Sequence, residues 1–490
     1  MRFGLIAGGI SALIAWTMAA GAPARAAAST SGCDASRPAV VYTPGRRGHV
    51  PLRKRMIPCR YDTGAKALEP SLDFTRDGRL LYQAWEVQSG VPGGVPPEPR
   101  VVRSDSSFTS WQDVSPLGPV ASLDPYLTVD RRTGRIFSVN FLADGQPTCA
   151  TLSYSDDEGN SWVSSPLACG GFDGESIATG PPVSSSPVGY PDLVYYCTGT
   201  TPASSPPTTT PICSKSLDGG LTFQPTGAPP WPLADESAQG DTFGPWAGNP
   251  VVGADGTMYV PKRFAAQPEV AISHDEGLSW EREQVAQNGS GGETPRMAID
   301  GSGNVYYTWV GANHLPYLAY SRDDGATWSA PIALAPRGLR EADLPRVSAM
   351  ANGRVAVAYI GSTDSPAAPP FYPFCDALLS ECSDGNYAGV TWSGYMTLLP
   401  KALASPPKLQ TATVNPPSEP LLVGGCSADG ACKADLDFID VKFGPGGDPF
   451  AAFVDDCTLA RDFPPIFSAE LGTCGDFVGE GIVGRLTATG

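Results

Sequence analysis

The chain of 490 residues carries 33 Lys and Arg against 50 Asp and Glu, a net charge of −17, and 41% of its residues are hydrophobic. A surface this acidic repels phosphate backbones, which sets nucleic acid aside as a partner. Beyond the N-terminal segment no stretch approaches the roughly 20 apolar residues of a spanning helix, so no membrane span is expected.

The first segment, MRFGLIAGGISALIAWTMAAGAPARAAAST, places Arg2 before an apolar run and ends in small residues around "ARA". It reads as a secretory signal over residues 1–26, cleaved near Ala26, and so predicts a secreted protein. Residues 27–68 then lead into one folded body over 69–490. Twelve cysteines in an exported chain point to disulfides. In chain order they form neighbouring couples: Cys33/Cys59, Cys149/Cys169, Cys197/Cys213, Cys375/Cys382, Cys426/Cys432 and Cys457/Cys474. With no CxxC pair and only three histidines, a zinc site is the weaker reading.

From residue 69 onward one plan recurs: a Pro, an alternating strand, a Gly turn, and a second alternating strand rich in Tyr, Val and Ile. It appears as EPSLDFTRDGRLLYQAW (69–85), DPYLTVDRRTGRIFSVN (124–140), NPVVGADGTMYVPKR (249–263), TPRMAIDGSGNVYYTWV (294–310) and LPRVSAMANGRVAVAYI (344–360). Weaker versions are YPDLVYY (190–196) and DLDFIDVKFGPGGDPFAAFV (435–454). A second phrase follows at YSDDEGNSW (154–162), KSLDGGLTF (215–223), ISHDEGLSW (272–280) and YSRDDGATW (320–328), and RSDSSFTSW (103–111) is a decayed copy. The Ser and Asp are expected to bond nearby amides and hold a turn, Gly to supply a positive φ, and the closing aromatic to enter the core of its own sheet. Two low-complexity stretches, 199–211 and 404–420, read as connections, the first tethered between Cys197 and Cys213.

A four-stranded unit every 48 to 61 residues predicts an all-β propeller, seven blades favoured over six. The repeated phrases resemble Asp-boxes, or BNR repeats, and residues 69–490 resemble the sialidase-like superfamily of Asp-box β-propellers. The phrases comprise Ser155, Asp157, Gly159 and Trp162; Ser216, Asp218, Gly220 and Phe223; Ser273, Asp275, Gly277 and Trp280; and Ser321, Asp323, Gly325 and Trp328. The resemblance implies that these residues lie at the blade rim and are structural. It also implies a glycan as ligand and, for the sialidases of the superfamily, three arginines for a carboxylate, a Tyr nucleophile with a Glu, and an Asp acid/base. The nearest match to the family's first arginine motif is RMIP at 55–58, where Met56 stands in the arginine's place, so no catalytic residue carries over.

A propeller ligand is expected at one end of the central channel, lined by residues that open the innermost strands. If the shared Pro opens those strands, the equivalent positions are Glu69, Asp124, Asp192, Asn249, Arg296 and Arg346. Glu293 and Asp343 lie three residues before the two arginines, and Asp437 and Asp440 belong to the last unit. Glu69, Asp124 and Asp192 are the carboxylates expected to act as acid and base on a glycosidic bond. Arg296 and Arg346 are expected to bind substrate, with Trp246, Trp309 and Trp85 as aromatic platforms. The same ring of carboxylates suits Ca2+, although no cofactor is required, and it equally suits plain ion pairs between blades. His274 lies inside a turn phrase, and His314 lies in a strand-linking loop within reach of a ligand. No Gly-x-Ser-x-Gly, His-Glu-x-x-His or phosphate loop is present. The expected function is an exported glycan-directed propeller, a sialidase-like glycoside hydrolase or a diverged sugar-binding relative acting at the central channel mouth; the alternative is a non-catalytic protein-interaction propeller.

Overall fold

Short hydrophobic strands, broken at every turn by Gly, Asp and Pro, leave the chain little choice but small antiparallel sheets. The computed structural model describes residues 32–46, 55–86, 98–116, 123–141, 149–169, 175–198, 212–227, 231, 248–289, 291–364, 390–423, 439–455 and 479–488. The signal segment lies outside them. Four-stranded sheets form over residues 123–169, 176–225, 251–284 and 291–333. A six-stranded sheet takes residues 341–413 together with Val40–Tyr42 and Leu422–Val423. The protein is all-β, with the repeated antiparallel sheets of a β-propeller. Among the described residues no helix is long and apolar enough to cross a membrane.

The strand Met56–Phe74 belongs to two ladders at once. Its first part pairs with Gly479–Ala488, from Met56 opposite Ala488 to Ala67 opposite Gly479. Its second part pairs with Leu80–Glu86 and leads the following sheet. Early and late residues are thereby held in one sheet. Leading strands pack in turn around the molecule: Met56–Phe74 on Leu123–Val129, then Ser176–Gly180, Val251–Val252, Gly291–Ile299, Glu341–Met350, Asp440–Phe443, and back to Met56–Phe74.

Side chains satisfy the inner edges of these strands. Ser71 Oγ accepts the Leu127 N–H at 3.0 Å, Asp73 Oδ2 the Val129 N–H at 2.9 Å, and Asp440 Oδ2 the Leu72 N–H at 3.3 Å. An exposed edge would otherwise leave those donors without partners. The apolar clusters sit between sheets. Leu81 and Val101 of one sheet meet Leu127 and Ile136 of the next, and Phe137 and Leu152 meet Val194 and Tyr196.

Antiparallel order separates two ends. Turns joining first to second and third to fourth strands share one end, called here the turn end. Leading strands begin at the opposite, entry end, with the hairpins that join second to third strands. At the turn end the four repeated phrases fold alike. The Gly159, Gly220, Gly277 and Gly325 N–H groups donate to the Ser155, Ser216, Ser273 and Ser321 hydroxyls at 2.8–2.9 Å. Each hydroxyl donates to its own Asp, namely Asp157, Asp218, Asp275 or Asp323, at 2.7–2.9 Å. That Asp then accepts the N–H of Ser161, Thr222, Ser279 or Thr327 at 2.8–2.9 Å. Two successive residues take positive φ, as at Glu276 (61°) and Gly277 (82°). The earlier copy differs: Asp105 gathers the N–H groups of Ser107, Thr109 and Ser110, and Phe108 alone turns to φ 61°.

The closing aromatics depart from expectation. Each packs between its own sheet and the preceding one rather than inside its own. Trp162 donates its indole N–H to the Val114 carbonyl of the preceding sheet at 2.7 Å, and Trp328 joins Tyr259 and Ile272 of the sheet before it. A sheet has no interior, so a large ring is buried in the seam.

The expected disulfides Cys33–Cys59 and Cys197–Cys213 are formed. Cys149 and Cys169 stand opposite one another in register. The other three couples lie outside the described residues.

Candidate functional site at the entry end

The shared Pro falls inside the leading strand, at a bulge. Register breaks between Leu68 and Ser71, Leu123 and Tyr126, Gly291 and Arg296, and Asp343 and Arg346. Pro70, Pro125, Pro295 and Pro345 occupy these breaks, where a missing N–H costs no ladder bond. Glu69 and Leu344 take φ of 51° and 52° there, uncommon for residues with a side chain.

The main ionisable cluster forms where two sheets meet. Glu341 opens the strand Glu341–Met350 opposite Ser362, its main chain anchored by the Arg340 N–H donating to the Ser362 carbonyl at 2.9 Å. The hairpin between Val305–Val310 and Pro316–Ser321 brings His314 against it. His314 Nδ1 lies 3.6 Å from Glu341 Oε2, and the Ala342 N–H donates to the His314 carbonyl at 2.9 Å. Gly311 is required in that hairpin, because a Cβ there would meet the Tyr317 ring at 2.7 Å. Burial, reinforced by the charge of Asp343, pushes the Glu341 carboxyl up to about 7. Burial lowers His314. Asp343 is buried, its Oδ1 accepting the Leu344 N–H at 2.8 Å across the bulge. Arg346 Nε donates to the Ile439 carbonyl at 2.5 Å, tying this strand to the next sheet.

Glu341 is the functional candidate that the sequence leaves unmarked. It has no Pro beside it and precedes the repeat plan by three residues. Only its approach to His314, from another sheet, singles it out.

Glu69, at the entry end, is buried and accepts the Trp85 indole N–H at 2.9 Å. Asp124 shares this end by its place in Leu123–Val129; its side chain lies outside the described residues. Asp192 does not join them. The leading strand of its sheet is Ser176–Gly180, and Leu193–Thr198 comes second, so Asp192 stands at the turn end, paired with Arg132 at 2.7 Å. The buried carboxylate that opens the leading strand there is Glu175. The error came from YPDLVYY, whose Pro ends a loop and not a leading strand.

Arg296 and Arg346 hold equivalent places on neighbouring leading strands, opposite Thr308 and Ala358. Arg296 Nη1 donates to the Pro295 carbonyl at 3.2 Å. The expected platforms are enclosed: Trp309 is fully buried, stacked on Tyr317 with centroids 5.7 Å apart and bonded to the Gly289 carbonyl, and Trp85 is buried on Glu69. Neither offers a free face to a sugar. Trp246, Glu293 and Asp437 lie outside what is described at side-chain level. In the channel, Tyr126 bonds Asn249, and Lys442 spans both oxygens of Asp440 at 2.8 Å. Met56 is buried in the core and Arg55 exposed, so the RMIP segment lies away from this site. Among the described residues no group of three or more His, Cys, Asp or Glu is arranged to hold a metal ion.

No protein-family model matches the chain, and no curated protein matches it. Solved structures do. A protein of unknown function from Dyadobacter fermentans is 13% identical with a TM-score of 0.42, over 92% of this chain and 100% of that one. The α-L-arabinofuranosidase arb93a from Fusarium graminearum is 13% identical with a TM-score of 0.41, over 62% and 92%. The NanB sialidase from Streptococcus pneumoniae is 10% identical with a TM-score of 0.40, over 87% and 69%. At such identities and scores the likeness carries no argument about what this chain does.

Proposed function

We propose that the protein is an exported, seven-bladed Asp-box propeller that acts on glycans at its entry end, as a glycoside hydrolase with Glu341 as proton donor. The observation that supports this is the Glu341 carboxyl, buried beside Asp343 and 3.6 Å from His314, where burial pushes it up to about 7 and so keeps a proton on it at a pH where an ordinary carboxyl has lost its own. A carboxyl of that kind can protonate a leaving glycosidic oxygen. Asp343, Glu69 and Asp124 are the carboxylates of the same end from which a base or nucleophile would come, and Arg296 and Arg346 are the cations available to an acidic sugar. The order of packing among the leading strands supports a count of seven, and the shared bonding of the four turns supports the Asp-box reading. Export follows the signal segment together with the disulfides. The reading needs no cofactor; Ca2+ held by entry-end carboxylates is a separate expectation, checked by calorimetric titration.

The test is an activity screen of the purified chain on chromogenic sialosides and neutral glycosides, with Glu341→Gln alongside. Cleavage that falls about 100-fold or more in the variant supports the reading. Cleavage that survives in Glu341→Gln moves the proton donor elsewhere.

A second reading, a non-catalytic interaction propeller, is favoured by exposed apolar residues at the turn end. Val188 is 72% and Leu278 58% exposed, with Val183 and Leu221 nearby in the same two sheets. Silence across the panel from a folded protein selects it.

A further inference from the structure

We propose that His314 is the proton-sharing partner of Glu341: the imidazole positions the carboxyl and exchanges with it the one proton that the site delivers. This rests on the proton-donor role given to Glu341 above.

Three features of the geometry converge on it. His314 holds φ at 62°, a conformation that costs a residue with a side chain and persists only where its surroundings impose it. The imposing contact is the 2.9 Å bond from the Ala342 N–H to the His314 carbonyl, which straps the hairpin of one sheet to the strand of the next beside Glu341. Leu315, Leu339 and Ala342 fill the same seam. The strap leaves Nδ1 3.6 Å from Oε2, an ion-pair approach rather than a made hydrogen bond. Hydrogen bonds between catalytic groups are often long in ligand-free sites and tighten on binding.

The exchange is a proton transfer alone. An imidazolium N–H bond breaks as a carboxyl O–H bond forms, or the reverse, and nothing is oxidised. The surroundings allow both forms. Besides burial, Asp343, on the same strand, is the charge that acts on Glu341. Arg340 precedes it, Ser362 across the ladder is uncharged, Asp364 follows two residues on, and Asn313 and Tyr317 flank His314 on the hairpin. Burial raises the carboxyl and lowers the imidazole, which narrows the usual gap between their proton affinities, and under the proposal their steps, at 3.6 Å, are those of a pair.

The experiment is an NMR pH titration of the histidine side chains in the full chain. The sequence has three histidines, so the His314 signal is assigned by its loss in His314→Asn. In Glu341→Gln the His314 midpoint is expected to fall by up to about one unit, as the imidazole loses the share of the pair's proton that the ionised form of Glu341 holds on it. A His314 midpoint unchanged between wild type and Glu341→Gln overturns the proposal. If Glu341→Gln does not fold, Glu341→Asp draws the carboxylate back by one methylene; the midpoint then falls by less, and an unmoved one overturns the proposal. The titration needs no turnover. An inactive glycoside panel therefore leaves it intact, and an unmoved midpoint leaves Glu341 standing as donor.

Discussion

The two ends of the molecule solve the same problem in opposite ways. At the turn end four sheets close with a Ser, an Asp and a Gly within five residues of one another, and the bonds repeat within about 0.2 Å from copy to copy. At the entry end a Pro bulge recurs, but the described ionisable groups beside it differ: one sheet has Glu69 clamped to Trp85, another Glu341 facing His314 of its neighbour. The regular end carries stability in local bonds. The irregular end holds Glu69 within its own sheet and Glu341 against a neighbouring one, and such sites can be altered without rewriting the scaffold.

The most damaging change should be at one turn that is not purely local. Glu276, fully buried inside the third repeated phrase, accepts the N–H groups of Val183, Ser184 and Ser185 at 2.7–2.9 Å and pairs with Lys215 at 2.7 Å. Glu276→Ala leaves Lys215 buried without its carboxylate and three amides without an acceptor. Chemical denaturation should show a loss of about 3 kcal/mol. Gly277→Ala comes next, because φ is 82° and a Cβ would lie 2.9 Å from Thr226; a loss of about 2 kcal/mol is expected. Gly303→Ala is its control, with a similar φ and open space around it, and should cost about 1 kcal/mol. Ser155→Ala removes one hydroxyl that serves both Asp157 and Gly159, and should cost about 1 kcal/mol by thermal melting. Equal losses at all four positions would erase the distinction between strained, clamped and merely bonded turns.

The smallest effect belongs to the entry end and is one of slope. The Glu341 carboxyl binds its proton more tightly when folded, so it contributes stability that is complete below 4.5 and is lost as pH rises through about 7. The lowered His314 acts in the opposite sense, favouring the folded state as pH rises through 6.5. Melting temperatures of the wild type between pH 5 and 8 should fall relative to those of Glu341→Gln, which keeps only the histidine contribution. Parallel curves would mean that the Glu341 carboxyl titrates as it does in the unfolded chain.

These ends were not equally legible in the sequence. The four turns could be read because donor, acceptor and glycine lie within one short phrase. The leading strands could be read from alternation and Pro, except at Asp192, where a long loop carries the same Pro signal. The aromatic platforms failed for a physical reason: Trp85 and Trp309 alternate correctly for an exposed face, but the seams between sheets bury both faces. Glu341 and His314, 27 positions apart, meet only through the packing of two sheets, and no local pattern encodes that meeting.

The strand shared by two sheets has a kinetic consequence. Residues 56–67 find their partners only when 479–488 are present, and Arg60 reaches Asp455 across 395 positions of sequence. Joining such distant segments has to overcome most of the chain's loop-closure entropy before any reward arrives, which makes it the slow step of assembly. Until it is taken, the early strand offers an unpaired hydrophobic edge to other molecules. The Cys33–Cys59 bond fixes a second short strand, Gly32–Cys33, onto the opposite edge, since Cys59 and Arg60 pair both with it and with Arg485 and Gly484. Oxidation in this region therefore covers one edge of the early strand while the other waits for residues 479–488, which halves the edge exposed during assembly.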